Sequence, residues 1–339
     1  MSGYGPLPAP DPSWPVCKST FSTPCGLTAG GPPPGTMHFA VIGDWGDNVC
    51  CHSCTNTVAE MIRAWDAKYR LDFIITTGDN NYPIGSGKDL VTEMANYAKW
   101  SPWPANAPPA PCAGAQLPIR FFPVLGNHDT YTQTPPGSAH FPQLDYFCQF
   151  AAYSSPTGNG RYYDYAFPNG LIEIFAINAN AGSSEPDGVT ANCTPPSSCT
   201  QYKWFENAIS KSTAAWKIVV FHEPPAITTS RVDYGNSDLL WPFRKWGASV
   251  VLMGHQHLYE RIHYDGIPWI VNGLGGTTGI AAIRDDQGCQ KTQWSQQRFN
   301  RSVGAMIGVA SPTELRLCFL AASTANSEGT CIDTLTIPK

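Results

Sequence analysis

Charge is scarce in this chain of 339 residues: Asp, Glu, Lys and Arg together make up only 14%, and the formal net charge is -5. With 21 basic against 26 acidic residues there is no positive field to gather polyanions over long distances, which removes nucleic acid as the expected partner. Long apolar runs are also missing. No stretch approaches the length that spans a bilayer, and the first fifteen residues, MSGYGPLPAPDPSWP, hold no apolar segment of the kind found in secretory leaders, so no membrane partner is expected. No internal repeat is found. What is not scarce is apolar side chain: 42% hydrophobic and 12% aromatic residues exclude a disordered chain and suffice for one large domain, or at most two.

Cysteine is plentiful. Twelve cysteines exceed what a reducing compartment usually holds, and the short gaps from Cys17 to Cys25, Cys193 to Cys199 and Cys318 to Cys331 suit small closed loops. The sequons at Asn192 and Asn300 agree with a secreted glycoprotein, extracellular or in a lysosome- or vacuole-like compartment. The cluster Cys50-Cys51-His52-Ser53-Cys54 has a zinc-knuckle alternative, but no second cluster completes four ligands, and disulfides are the stronger reading.

Residues 1–36 carry nine prolines and no apolar period, which predicts an irregular arm stapled by Cys17 and Cys25 and available for self-association. From residue 37 to 339 short apolar runs alternate with amphipathic segments, the rhythm of a single α/β catalytic domain. Residues 37–42 read as a buried strand. Val58, Met61, Ile62, Trp65 and Tyr69 then recur at helical spacing, and 73–77 is a second strand. Further strands are predicted at 120–125, 162–167, 171–178, 216–221, 249–253, 259–264, 267–272, 304–310, 314–321 and 331–337. Helices are predicted at 88–98, 200–210 and 237–246, with long loops at 101–118 and 182–198.

Five short motifs follow five of these strands: Gly43-Asp44-Trp45-Gly46, Gly78-Asp79-Asn80-Asn81-Tyr82, Gly126-Asn127-His128-Asp129, Val219-Val220-Phe221-His222 and Gly254-His255-Gln256-His257. Each ends an apolar run with a side chain able to bind metal, at the sheet edge where open α/β folds keep their sites. Singly, each is an ordinary turn or a packed aromatic. Together and in this order, continued by Leu258-Tyr259-Glu260-Arg261, the motifs resemble the calcineurin-like metallophosphoesterases, and specifically the purple acid phosphatases, over about residues 37–275.

That resemblance implies a four-layer α/β (α+β) metallophosphoesterase sandwich, two mixed β-sheets flanked by helices. It implies Asp44, Asp79, Tyr82 and His257 as ligands of one metal, and Asp79, Asn127, His222 and His255 as ligands of the other. Hard anionic oxygens suit Fe(III) in the first position, and imidazoles suit a second, divalent metal, Zn, Fe or Mn. Charges of about +5 against about -3 from Asp44, Asp79 and Tyr82 leave a net positive centre for phosphate. The implied activity is acid phosphatase, hydrolysis of phosphate monoesters by attack of a metal-bound hydroxide, on phosphorylated small molecules or phosphoproteins. His128 would donate a proton to the leaving group and Asp129 would orient its ring. Tyr82 separates the purple group from other metallophosphoesterases. The arm is too short for the extra β-sandwich of the larger plant-like relatives. Glu223, directly after His222, departs from the pattern; His38, His52, His140 and His263 lack motifs and read as structural, and 273–279 reads as a turn. The alternatives are a metal-dependent phosphodiesterase or nucleotidase on the same fold, and a secreted structural or assembly protein using the phosphatase scaffold.

Overall fold

In a computed structural model the described residues are 21–101, 120–133, 136, 138, 140–153, 160–180, 199–225, 227–228, 239–277, 279–281, 294–323 and 325–339. Within them the order of elements is β1 (Met37–Ile42), α1 (Asn48–Tyr69), β2 (Phe73–Thr76), α2 (Gly87–Met94), β3 (Phe121–Phe122), α3 (Pro142–Tyr146), β4 (Tyr163–Ala166), β5 (Ile172–Ala176), α4 (Thr200–Lys211), β6 (Trp216–Val220), β7 (Val250–Met253), β8 (Tyr259–Tyr264), β9 (Ile267–Asn272), β10 (Ser295–Phe299), β11 (Gly304–Ala310), β12 (Glu314–Ser323) and β13 (Asn326–Pro338).

Two sheets form. The first has the order β13-β12-β11-β1-β2-β3, and the second β10-β8-β9-β7-β6-β5-β4. Both are mixed: β1, β2 and β3 run parallel, as do β5, β6, β7 and β9, while hairpin-paired strands complete the outer part of each sheet. The parallel strands are uniformly apolar because they are covered on both faces.

Strand pleating divides the second sheet's side chains between two cores. Ile172, Ile174, Ile218, Val220, Val250 and Leu252 join a core shared with β1, β2, β11 and β12 of the first sheet, together with Val58, Ile62 and Trp65 of α1. Phe175, Val219, Phe221, Val251 and Met253 face the other way and pack with Trp204, Phe205 and Ile209 of α4. The layers are therefore helix, sheet, sheet, helix. At the carboxyl ends of the parallel strands the two sheets are sewn together, since Asn272 Nδ2 donates to Val41 O at 2.9 Å and Gly275 N to Gly43 O at 2.8 Å.

Four expectations need correction. Cys25 does not pair with Cys17: it is bonded to Cys318 on β12, with Cα atoms 5.6 Å apart, so residues 21–36 are fastened to the first sheet and Leu27 is buried in its core. The loop expected between Cys318 and Cys331 is accordingly not closed, and Cys331 Sγ lies 3.5 Å from Thr334 Oγ1. Residues 239–246 are not helical. Pro242 removes a backbone donor from the middle of that run, and Leu239, Trp241, Phe243 and Trp246 anchor a chain of turns into the α4 core. The expected strand at 120–125 pairs only through Phe121 and Phe122, because Pro123 has no N–H for the ladder. Sequence had offered no sign of β10, a polar strand (SQQRF) on the sheet edge beside β8. The Asn300 sequon does not present its nitrogen, for Asn300 is buried and its Nδ2 donates to Ala281 O at 2.9 Å.

Residues 1–20 of the expected arm, the loop at 182–198, nearly all of the loop at 101–118 and Asn192 lie outside the described residues, as do the side chains of Cys50, Cys51 and His52. Cys54, Cys148 and Cys199 are disulfide-bonded, as the cysteine content implied.

Candidate metal centre

All five motifs emerge at the seam between the sheets. Asp44 follows β1, Asp79 and Tyr82 follow β2, Asn127 and His128 follow β3, His222 follows β6, and His255 and His257 follow β7. Turning each chain inward takes unusual backbone. Asp44, Asp79 and His255 have φ of 55°, 50° and 68°, in the left-handed region that costs an L-residue on the order of 1 kcal/mol. The motif glycines allow the turns to touch: a Cβ on Gly126 would stand 2.1 Å from Asp79 Oδ1, and one on Gly78 would stand 2.5 Å from His222 Nδ1.

The seven residues expected as ligands converge in two groups. In the first, Tyr82 OH lies 2.7 Å from Asp79 Oδ2, 3.1 Å from Asp44 Oδ1 and 3.2 Å from His257 Nε2, and His257 Nε2 lies 3.3 Å from Asp44 Oδ1. In the second, His222 Nε2 lies 3.2 Å from Asp79 Oδ2 and 3.2 Å from Asn127 Oδ1, which is 3.0 Å from His255 Nδ1. Asp79 Oδ2 belongs to both groups. The other oxygen of each carboxylate is fixed by backbone: His128 N donates to Asp79 Oδ1 and His255 N to Asp44 Oδ2, both at 2.9 Å.

The donor set fits a cation. His222 Nδ1 is 2.8 Å from Thr77 O and His257 Nδ1 is 2.7 Å from Gly279 O, contacts that only an N–H can make. Each Nε2 then turns a lone pair toward a carboxylate oxygen, which is repulsive unless positive charge lies between them. Titration expresses the same demand. Burial disfavours a charged His222, yet the fields of Asp79 and Asp44 raise it to about 10, and His257 is raised by Asp44 in the same way. Asp79, which burial alone would raise, is held below the usual carboxylate range by His222 and its neighbours. Burial and the two carboxylates push Tyr82 well above an ordinary phenol. His255, buried and facing His222, falls to about 4. Asp44, Asp79 and His222 form a compact group of metal-binding type among the described residues.

His128 borders the first group. Its ring lies against Tyr82, with centroids 4.3 Å apart, and its Nδ1 is 2.7 Å from Pro83 O. Nε2 has no hydrogen-bond partner among the described residues. Asp129 does not orient this ring, contrary to expectation. Its buried carboxylate accepts from Gly126 N at 2.8 Å, Asn80 N at 3.0 Å and Asn80 Nδ2 at 3.0 Å, tying the turn after β3 to the turn after β2, and burial with the nearby charge of Asp79 raises it to about 8. The orienting group is a carbonyl. Glu223 is raised to about 7, chiefly by burial. His140 pairs with Asp145 at the surface, His38 is held by Tyr69 O and His263 is exposed, so all three are structural.

Residue type gave no hint of Thr77 O, Pro83 O or Gly279 O, the carbonyls that set the three imidazoles. The available signal was the glycine-rich segment 273–279, read as a bare turn. It runs alongside Asp44, where Thr277 N donates to Asp44 O at 3.1 Å, and it supplies the carbonyl of Gly279.

A two-sheet sandwich with acidic and imidazole ligands at its seam defines a metallophosphoesterase. Residues 37–259 match the calcineurin-like phosphoesterase family, and the chain belongs to that family. Among its relatives is purple acid phosphatase 17 of Arabidopsis thaliana, 25% identical over 263 residues that cover 74% of this chain and 71% of the relative. The purple acid phosphatase PPD1 of yellow lupin (Lupinus luteus) superposes with a TM-score of 0.60 at 16% identity, over 93% of this chain and 55% of that one. GAP50 of Plasmodium, described as the anchor in the inner membrane complex, also gives 0.60, at 17% identity over 89% of each chain. At those identities the two solved structures speak for the fold alone. The chain is a phosphoester hydrolase by family and fold. Among the described residues no helix is long and apolar enough to cross a membrane.

Proposed function

We propose that the protein is an acid phosphatase that hydrolyses phosphate monoesters at a two-metal centre, with Asp44, Asp79, Tyr82 and His257 holding one metal and Asp79, Asn127, His222 and His255 the other. The observation that carries this reading is the placement of Asp79 Oδ2 within 2.7 Å of Tyr82 OH and 3.2 Å of His222 Nε2, a bridging position between two sets of donors. Two bound cations would supply the positive charge that clamps a phosphate and makes water acidic enough to react.

The chain's own groups do the rest. The Nδ1 contacts of His222 and His257 with backbone carbonyls keep Nε2 of both rings aimed at the centre. Tyr82 would lose its proton on binding Fe(III), and its phenolate supplies the asymmetry expected of the purple type. His128, fixed at Nδ1 by Pro83 O, keeps Nε2 to carry a proton to the leaving alcohol. Glu223 has an ordinary route to a harmless role in acid, since a carboxyl raised to about 7 is protonated there and does not repel the phosphate. The oxidising compartment implied by the cysteines fits a secreted enzyme, and the disulfide from Cys25 to Cys318 agrees with it.

Colour tests this reading directly. A phenolate on Fe(III) absorbs visible light, and Tyr82→Phe should bleach the band. A substrate panel tests the rest: faster cleavage of diesters or nucleotides than of simple monoesters would replace the acid phosphatase reading by the phosphodiesterase or nucleotidase one.

A further inference from the structure

Tyr131 is 57% exposed, the most exposed large hydrophobic side chain among the described residues, and Ile84, also exposed at 51%, stands beside the same turn. A tyrosine this open is usually free to change rotamer, yet this one is engaged at both ends. Its hydroxyl accepts from Asn127 Nδ2 at 2.8 Å, and its ring lies 5.0 Å from the ring of His128. The backing is firm. Thr132 Oγ1 donates to Ile84 O at 2.6 Å, and a Cβ on Gly85 would stand only 2.7 Å from His128 O, so the segments after β2 and β3 are clasped under the tyrosine.

We propose that Tyr131 is a positioning residue for the second metal and for His128. An Asn amide has two faces of nearly equal shape and rotates easily about its last bond, unlike the carboxylates of the first group. Here the N–H end is held by the Tyr131 hydroxyl, which leaves Oδ1 directed at His222 Nε2 and His255 Nδ1. Without that hold the amide must be ordered at the moment of metal binding, and its NH2 end competes for the position Oδ1 should take. The ring has a separate task, covering the face of His128 opposite to the one that Tyr82 covers with its centroid 4.3 Å away, so that the imidazole is confined to one plane. The inference rests on the two-metal reading.

The test is release of metals from the purified holoprotein into graded concentrations of a chelator, with zinc, iron and manganese measured per chain. Tyr131→Phe removes the hydroxyl and keeps the ring. It should release the second metal at about tenfold lower chelator concentration, as expected for loss of a group that orients a ligand, with the first metal, the visible band and the melting temperature unchanged. Tyr131→Ala removes both and should in addition lower turnover of alkyl phosphates more than that of aryl phosphates, whose better leaving group needs less protonation. Two metals in the wild type with unchanged release from Tyr131→Phe overturns the positioning role alone. Fewer than two metals in the wild type overturns the two-metal reading and this inference with it.

Discussion

The two halves of the centre are built on different principles. In the first, Asp44, Asp79 and Tyr82 are buried anionic or acidic oxygens, each at most 6% exposed, and their carboxylates are fixed by backbone N–H groups. In the second, a neutral amide and two imidazoles share Asp79 with the first, and the amide depends for its orientation on an exposed tyrosine. Charge and rigidity are concentrated on one side, adaptability on the other. The lesson is that the first position should hold a tightly bound trivalent ion and the second an exchangeable divalent one.

Asp79→Ala should abolish the comparison itself, removing the shared oxygen. Both metals should be lost and kcat should fall on the order of 10³-fold or more, read by metal analysis and a phosphate-release assay. Asp79→Asn, which preserves shape, guards against misfolding as the explanation. His128→Asn comes next, with an expected fall in kcat of about 10²-fold or more while both metals remain, because it removes the proton donor but touches neither group of ligands. His222→Ala should separate the halves: the divalent metal goes, while iron and the visible band stay. If iron were lost first, the assignment of strength to the first position is wrong.

The smallest effect lies outside the centre and contrasts with it. Asp164 on β4 is raised to about 6 by burial and by the adjacent Glu173, with no cation to relieve it. Because its folded value lies above the ordinary carboxylate value, the folded state binds more protons between about pH 4 and 6, and stability falls as pH rises through that window. Asp164→Asn should therefore raise the melting temperature at pH 7, by on the order of 1 kcal/mol after allowance for partial exposure, and change little at pH 4. Thermal unfolding at the two pH values measures it.

How much of this was legible in the sequence depended on what carries the information. The metal-binding side chains were readable because each stands at the end of an apolar run behind a glycine, and the structure brings all seven together. Buried parallel strands such as β1 and β7 were readable for the same reason, being unbroken runs of apolar residues. Contacts made by backbone left no trace: Pro83 O, not Asp129, sets the His128 ring, and adjacency in sequence was misleading because Asp129 points back at Asn80 and Gly126. Long-range pairing was equally silent, since nothing near Cys25 specifies Cys318 at a separation of 293 residues. At 239–246 apolar spacing suggested a helix, but Pro242 and the aromatic anchors produced turns.

Metal content of the purified protein, measured together with its visible spectrum, bears most directly on the two-metal claim. The account expects two metal ions per chain, one of them iron, and a charge-transfer band that disappears in Tyr82→Phe while the iron remains. A single metal per chain, or a band that survives that substitution, would contradict it.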